Sequence, residues 1–549
     1  MATLARLWSA AIRTDPAETM SASPTTFAAP PPPHPAVGAA LPSARLSAPR
    51  AEAGLAVLLI ALAGLQVARG MATVFPLDDA YIVLHNAQVL LAGGVDPNFA
   101  EASALVGSTS PLHLILVAAL GLILPLPAGL TLLAFLGAFA YGCGLIAAAR
   151  RGGAGEGGAF AFALAGLLAA HSPFQLLNGL ETGLAMAAVM WALVLYGDAA
   201  TGAMRRWLLW ILIGILPILR PELAVLGLLL GACDLWRMRD EAGGATRTAV
   251  RRALPYAVAA GLIVAPFLVW QWVDTGTVLP GTIGAKKAWF AETDLPIGLK
   301  ARSFITDTTQ FLAGFGLTIL PALLLLPATA AGRIGAVFAA IVLALYFHEM
   351  PGGLSHNEQR YLHVFAPVVM FGAAGLFWAG PERFGAIGRM PNAVAAVLAL
   401  QAALLALPGL ARYRDATAFT AGDLDRVARH AREALPANAR LLIHDAGYIA
   451  WATTLPLVDM VGLKTPSSIA DHRALTLPSN GTRRGEAIAR IAARGAVSHA
   501  VVLDDWNDRF GIVDGLIAAG WTVTPTGPAG AYRIYRLTPP TAPAAAPAP

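Results

Sequence analysis

Charge is scarce in this sequence. Of its 549 residues, 13% are Asp, Glu, Lys or Arg, about half of what a soluble protein carries, so an ordinary water-soluble globule is excluded. Cysteine is scarcer still, with Cys143 and Cys233 the only two. Each falls in an apolar run far from the other, so they build no metal motif, carry no redox information and read as packing residues. No repeat of fixed period is visible. What is abundant is apolar. Hydrophobic residues make up 56% of the chain and the mean hydropathy is +0.62. Apolar runs of roughly 15–20 residues recur along most of it, near the length a helix needs to cross a bilayer. The expected class is a polytopic α-helical membrane protein. A net charge of +5 does not argue for nucleic acid, because most Arg residues stand in short loops between apolar runs, where they set topology.

Residues 1–50, which include "AAPPPPHPA", are expected to form a disordered cytoplasmic tail without a signal peptide. Residues 51–410 read as the membrane domain, beginning with a span at about 53–70. Basic loops around Arg150, Arg205, 237–252, Arg333 and Arg383 are expected inside. Between them fall the loops with Asp78 and Asp79, "NGLET" (178–182), "LRPE" (219–222), "DTGTVLPGTIGAKKAWF" (274–290) and "SHNEQRY" (355–361), which places an active site on the outer face. Parity requires 111–149, split by "LPLPAG", to cross once, one piece being re-entrant or interfacial. The count is then about 11 spans, with the N terminus inside and the C terminus outside. The stretch 207–236, interrupted by "RPE", is either two short helices meeting near the outer face or one broken helix. After a last span at 391–409 the composition changes. A helix over "DLDRVARHAREALP" and strands in "RLLIHDAGYIAW", "HAVVLDD", "WTVTP" and "AYRIYRL" predict a small periplasmic α/β domain at 411–538. Residues 539–549 read as a second disordered tail.

Several polar residues sit where apolar ones would be cheaper. Asp78 and Asp79 adjoin at the membrane rim; they cap the helix that follows, or they supply a base, since close carboxylates raise one another's pKa. "STSP" at 108–111 starts a helix. Glu181 stands at the head of an apolar run, where capping is again one reading. Arg220 and Glu222, spaced i,i+2, do not face each other on a helix, so each needs another partner. Arg360 reads as a snorkelling residue at the mouth of a span or as a site residue.

Taken in order, "DDAYIVLHNAQVLLAGG", "STSPLHLI", "NGLETGL", "LRPEL", "LPGTIGAKK" and "QRYLHVFAP" resemble the motifs of polyprenyl-phosphate-dependent GT-C glycosyltransferases. The resemblance covers about 53–540 and is strongest to the group containing the mycobacterial terminal arabinofuranosyltransferase. His85 and Asn86 stand where that group has Arg-Tyr, and Gly281 where it has Asn. The resemblance implies inverting transfer from a polyprenyl-phosphate sugar to a cell-envelope glycan or lipid hydroxyl, at the periplasmic face of the inner membrane. Asp78 would be the base, and Asp79 would orient it, hold the acceptor or contribute to a cation site. Lys286, Lys287, Arg360 and Arg220 would meet the donor phosphate. Glu181, Tyr361 and His85 would bind sugar or acceptor, with Glu181 also able to steady Arg220 and His363 near the same mouth. No metal ligands are assigned, although adjacent carboxylates could take Mg²⁺ or Mn²⁺ beside phosphate oxygens. The C-terminal domain would bind the acceptor glycan or brace the outer loops; its Asp445 and Asp459 read as carboxylates of turns at strand ends, with a site role as the alternative. The competing reading is a polyprenyl-linked lipid or glycan transporter, which should show mid-bilayer polar residues and paired repeats.

Overall fold

The computed structural model describes residues 49–540 apart from 71–72, 199–201, 379–383, 386–388 and 529. Apart from 49–50 and 539–540, the two expected tails lie outside the described residues, as does Arg383. Five helices among the described residues are long and apolar enough to cross a membrane: Arg50–Ala68, Leu126–Arg151, Thr246–Thr275, Ala330–Glu349 and Pro391–Ala434. Two bent pairs raise the number to seven: Ile297–Ala313 with Gly316–Ala328, and Pro351–Gln359 with His363–Trp378. Shorter apolar helices fill the spaces between them. The apolar stretch split by "LPLPAG" becomes Pro111–Gly121 and Leu126–Arg151. The first has 11 residues, about 16 Å, so the second alone is long enough to cross. Pro111 at its first position and Ser110, whose hydroxyl accepts from His113 N–H at 3.3 Å, start the shorter helix; here capping explains "STSP".

The "RPE" stretch is a helical hairpin. Ala203–Leu219 and Leu223–Glu241 run antiparallel, with Arg206 on Glu241 at 2.8 Å and Trp210 on Asp234 at 2.9 Å. Arg220 and Glu222 form its tip. Ion pairs mark the far end of the bundle: Arg150 joins Glu52 and Glu156, Arg151 joins Asp198, and Arg205 lies 3.5 Å from Asp198. Helix Thr182–Asp198 starts beside Glu181 and ends in that cluster, a length of about 25 Å. The basic loops therefore gather at one end and the polar motifs at the other.

The C-terminal region carries a five-stranded sheet in the order β2-β1-β3-β5-β4, formed by β1 (Leu441–Ile443), β2 (Leu457–Asp459), β3 (His499–Leu503), β4 (Thr522–Pro525) and β5 (Tyr532–Thr538). β1 pairs in parallel with β2 and β3, and β5 pairs antiparallel with β3 and β4. Strand β2 was not expected from the sequence. One face of the sheet packs with Ile82 and Phe99 from the first polar segment, and the other with Trp289 from helix Gly281–Phe290. Trp289 is fully buried, so apolar burial fastens the sheet to the helical part. The expected boundary near residue 410 falls inside a continuous helix, Pro391–Ala434, whose segment Thr420–Leu424 is a π turn.

Candidate active site

Helix Asp78–Leu91 begins with both carboxylates in its first turn, where the helix dipole favours negative charge. They face different partners. Asp78 Oδ2 accepts from Gly447 N–H and Oδ1 from Tyr448 N–H, each at 2.7 Å, so the turn after β1 is held on Asp78. Burial, reinforced by Asp445 and Asp79, pushes the Asp78 carboxyl well above the usual carboxylate range against those two amide bonds. Asp79 Oδ2 accepts from Arg360 Nη1 and from Asn357 Nδ2, both at 3.0 Å. Burial acts on Asp79 in the same direction as on Asp78, but Lys286, Arg360 and His356 outweigh it and hold its carboxyl below the usual range.

A chain of ion pairs runs inward from Asp79. Arg360 Nη2 donates to both oxygens of Glu181, at 2.7 and 3.0 Å. Arg220 Nη1 lies 3.5 Å from Glu181, and Arg220 Nε donates to Glu222 at 2.7 Å. Tyr361 lies within this group: its hydroxyl accepts from Lys286 Nζ at 2.9 Å, and Arg220 stands 5.5 Å over its ring. Two cavities meet at Asp79 and Lys286. One, of about 160 Å³, is lined by Asp78, Asp79, Lys286, His356, His444, Asp445, Trp506 and Tyr532 among others. The other, of about 30 Å³, is bordered by Ser108, Thr109, His113, Glu181, Thr282 and Arg360. The arrangement brings the Asp78 carboxyl, raised above its usual range, to a junction shared with the cations Lys286 and Arg360.

A divalent cation at this junction would compete with contacts the carboxylates already make. Both Asp78 oxygens take amides, and Asp79 is already matched by Arg360 and Lys286. Among the described residues no group of three or more His, Cys, Asp or Glu is arranged to hold one.

Residues 411–540 match the model of a domain of unknown function, DUF8728. No curated protein matches the chain in sequence. Solved structures match it in fold. ArnT from Cupriavidus metallidurans bound to undecaprenyl phosphate aligns with a TM-score of 0.52 at 14% identity, over 88% of this chain and 98% of that one. The chain shares the fold of that protein. An Archaeoglobus fulgidus oligosaccharyltransferase in the apo form aligns with a TM-score of 0.44 at 13% identity, over 85% of this chain and 71% of that one.

On this scaffold, Asp78, Asp79, Glu181, Arg220, Lys286, Arg360 and Tyr361 come together, and two other residues singled out from the sequence do not join them. Lys287 pairs with Glu349 at 2.6 Å on the surface, because one residue on a helix turns about 100° away from Lys286. His85 is buried with Nε2 3.1 Å from Asp96, which in turn lies 2.9 Å from the buried Lys464 of the sheet region. Six residues on from Asp79, it projects about 120° round the helix. His363 is buried against the Gln359 carbonyl at 2.9 Å. The expectation that Arg220 and Glu222 need separate partners is corrected: they pair directly, since Arg220 is extended (φ −153°, ψ 134°) and the helix is interrupted there.

Sequence reasoning missed Asn357 and the wall built from His444, Trp506 and Tyr532, and gave Asp445 first as a turn carboxylate. Asp445 does lie just past the end of β1, but that turn opens into the larger cavity. The signal was available, because in sheets with parallel strands ligands collect at the carboxyl ends. Asp459 is a turn carboxylate, accepting from Val461 and Lys464 N–H at 2.8 Å each.

Proposed function

We propose that this chain is a membrane glycosyltransferase that moves a sugar from a polyprenyl-phosphate donor to a hydroxyl of a cell-envelope glycan or lipid. The observation that carries the reading is the divergence of Asp78 and Asp79. Neighbouring carboxylates driven to opposite sides of their usual range mark one group as base and the other as fixed charge. In this mechanism Asp78 takes the proton of the acceptor hydroxyl as its oxygen attacks the anomeric carbon. The bond from that carbon to the phosphate oxygen breaks, with inversion, and the polyprenyl phosphate departs with the electron pair. Lys286 and Arg360 meet the phosphate charge, steadied by Asp79, Tyr361 and Glu181. The leaving group is already an anion and needs no proton.

The GT-C fold shared with ArnT, which was solved with undecaprenyl phosphate, supports the donor class. The gathering of basic loops at one end supports an N terminus inside and a C-terminal region in the periplasm of the inner membrane; the expected count of about 11 crossings exceeds the five to seven long apolar spans among the described residues. The motif resemblance supports the arabinofuranosyltransferase-like group. The test is transfer by the purified protein in nanodiscs from a panel of polyprenyl-phosphate sugars. Asp78→Asn should abolish transfer while leaving the circular dichroism spectrum unchanged. Full transfer by that variant would overturn the base. A wild-type protein that transfers nothing but moves labelled polyprenyl phosphate across a vesicle bilayer would be a transporter.

A further inference from the structure

We infer that the C-terminal unit supplies the acceptor subsite, with Asp445 binding a hydroxyl of an uncharged sugar ring against a wall of Trp506, Tyr532 and Phe419; this rests on the glycosyltransferase reading above. The charge distribution fixes the class of ligand. Three carboxylates, Asp78, Asp79 and Asp445, line the larger cavity, and the one Lys or Arg lining it is Lys286, which is turned toward Tyr361. An anion is disfavoured there, so the phosphate belongs on the Arg360 side and a neutral group on this one.

Asp445 is built to accept hydrogen bonds. Its Oδ2 takes the Tyr532 hydroxyl, and its Oδ1 lies 3.1 Å from His444 Nδ1. His444 Nε2 accepts from Leu503 N–H at 3.0 Å, which leaves the proton of a neutral ring on Nδ1, facing Asp445. That nitrogen is buried and makes no hydrogen bond in line. The His444 ring stacks on Trp506, 4.5 Å away and 9° from parallel, and lies 12° from parallel with Tyr532 at 6.1 Å. Burial would raise the Asp445 pKa, but His444 and Tyr532 outweigh it and keep the group a carboxylate. Each carboxylate oxygen can accept two bonds, so Asp445 retains capacity for a ligand hydroxyl. Flat rings beside it suit the C–H face of a sugar, an apolar surface with one fixed polar anchor. His444 is a positioning residue; Asp445 makes the contact.

The experiment uses the full chain in nanodiscs and two phosphate-free probes, a methyl hexopyranoside and a methyl pentofuranoside, observed by saturation-transfer NMR. Undecaprenyl phosphate binding is measured separately. At least one glycoside should bind the wild type, and binding should weaken more than 10-fold in Asp445→Asn and Trp506→Ala but persist in Lys286→Ala. Undecaprenyl phosphate should show the reverse pattern. Equal glycoside binding by wild type and Asp445→Asn, or none by the wild type, overturns the subsite. Loss of both ligands in Asp445→Asn would also overturn it, by making Asp445 a strut of the fold. If the glycosides behave as expected while undecaprenyl phosphate fails to bind the wild type, the donor assignment falls and the sugar site stands.

Discussion

Replacing Gly447 by Ala should unlatch the C-terminal unit from Asp78. A Cβ at this position would stand 2.1 Å from the Asp78 carbonyl oxygen, 2.8 Å from Ile82 N and 2.9 Å from Asp78 Oδ2. The first two are backbone atoms of a helix and cannot swing aside as a side-chain tip can. Gly447 has φ −97°, a value open to any residue, so the effect comes from close approach alone. The turn must lift, and the Gly447 and Tyr448 amides then leave the carboxylate they meet at 2.7 Å. Hydrogen bonds to a charged group contribute about 1.5–3 kcal/mol each. Losing both removes about 3–6 kcal/mol, comparable with the marginal stability of a whole domain. The assay is thermal unfolding by tryptophan fluorescence, with limited proteolysis of residues 411–540 and the rate of sugar transfer. A lower Tm, earlier cleavage and at least a 10-fold slower transfer are expected. Wild-type values for all three would refute the reasoning, because they would mean the turn is not held on Asp78.

Asp445→Asn removes a negative neighbour of Asp78, so the Asp78 pKa should fall; the acid limb of the pH–rate profile, which reports deprotonation of the base, should move to lower pH. Arg360→Met should destabilise the protein by about 3–5 kcal/mol, since Asp79 and Glu181 would be left buried without their shared cation, as a denaturant titration would show. Lys287→Ala, in contrast, breaks an exposed pair worth about 0–1 kcal/mol and should leave the KM for donor unchanged, whereas Lys286→Ala should raise it strongly. Lys464→Met should leave Asp96 with His85 as its remaining side-chain partner and lower the Tm, measured beside Gly447→Ala as a second test of how the sheet region is anchored.

Most of the site was legible because its residues sit at the ends of apolar runs, where a charge is conspicuous. Asp79, Glu181, Arg220, Lys286 and Arg360 all satisfy that condition, and alternation of basic and polar loops placed them at one end. The strands β1, β3, β4 and β5 were legible from short apolar segments bounded by turns. Faces were harder to read. His85 and Lys287 share sequence neighbourhoods with Asp79 and Lys286, and only helical phase separates them. The Arg220–Glu222 pair required knowing that the helix breaks at the proline. The contribution of the sheet region was hidden for another reason: Asp445 meets Asp78 across more than 360 positions of chain, as the Gly447–Asp78 bond with a separation of 369 residues shows, and no local pattern encodes that pairing.

The helix Pro391–Ala434 has a consequence for how an acceptor arrives. Its 44 residues span about 66 Å and pass from the bundle into the sheet region as one strut. Pro408 and the π turn at Thr420–Leu424 are the places where such a helix can bend, and the π turn sits in the cavity wall itself. A bend there would move the cavity wall, whereas a route at the side needs no such motion. An open groove of about 780 Å³ runs along residues 279–284 and 466–474 and shares Leu463 with both cavities. For the acceptor proposed above, such a side door would give access without any clamshell motion.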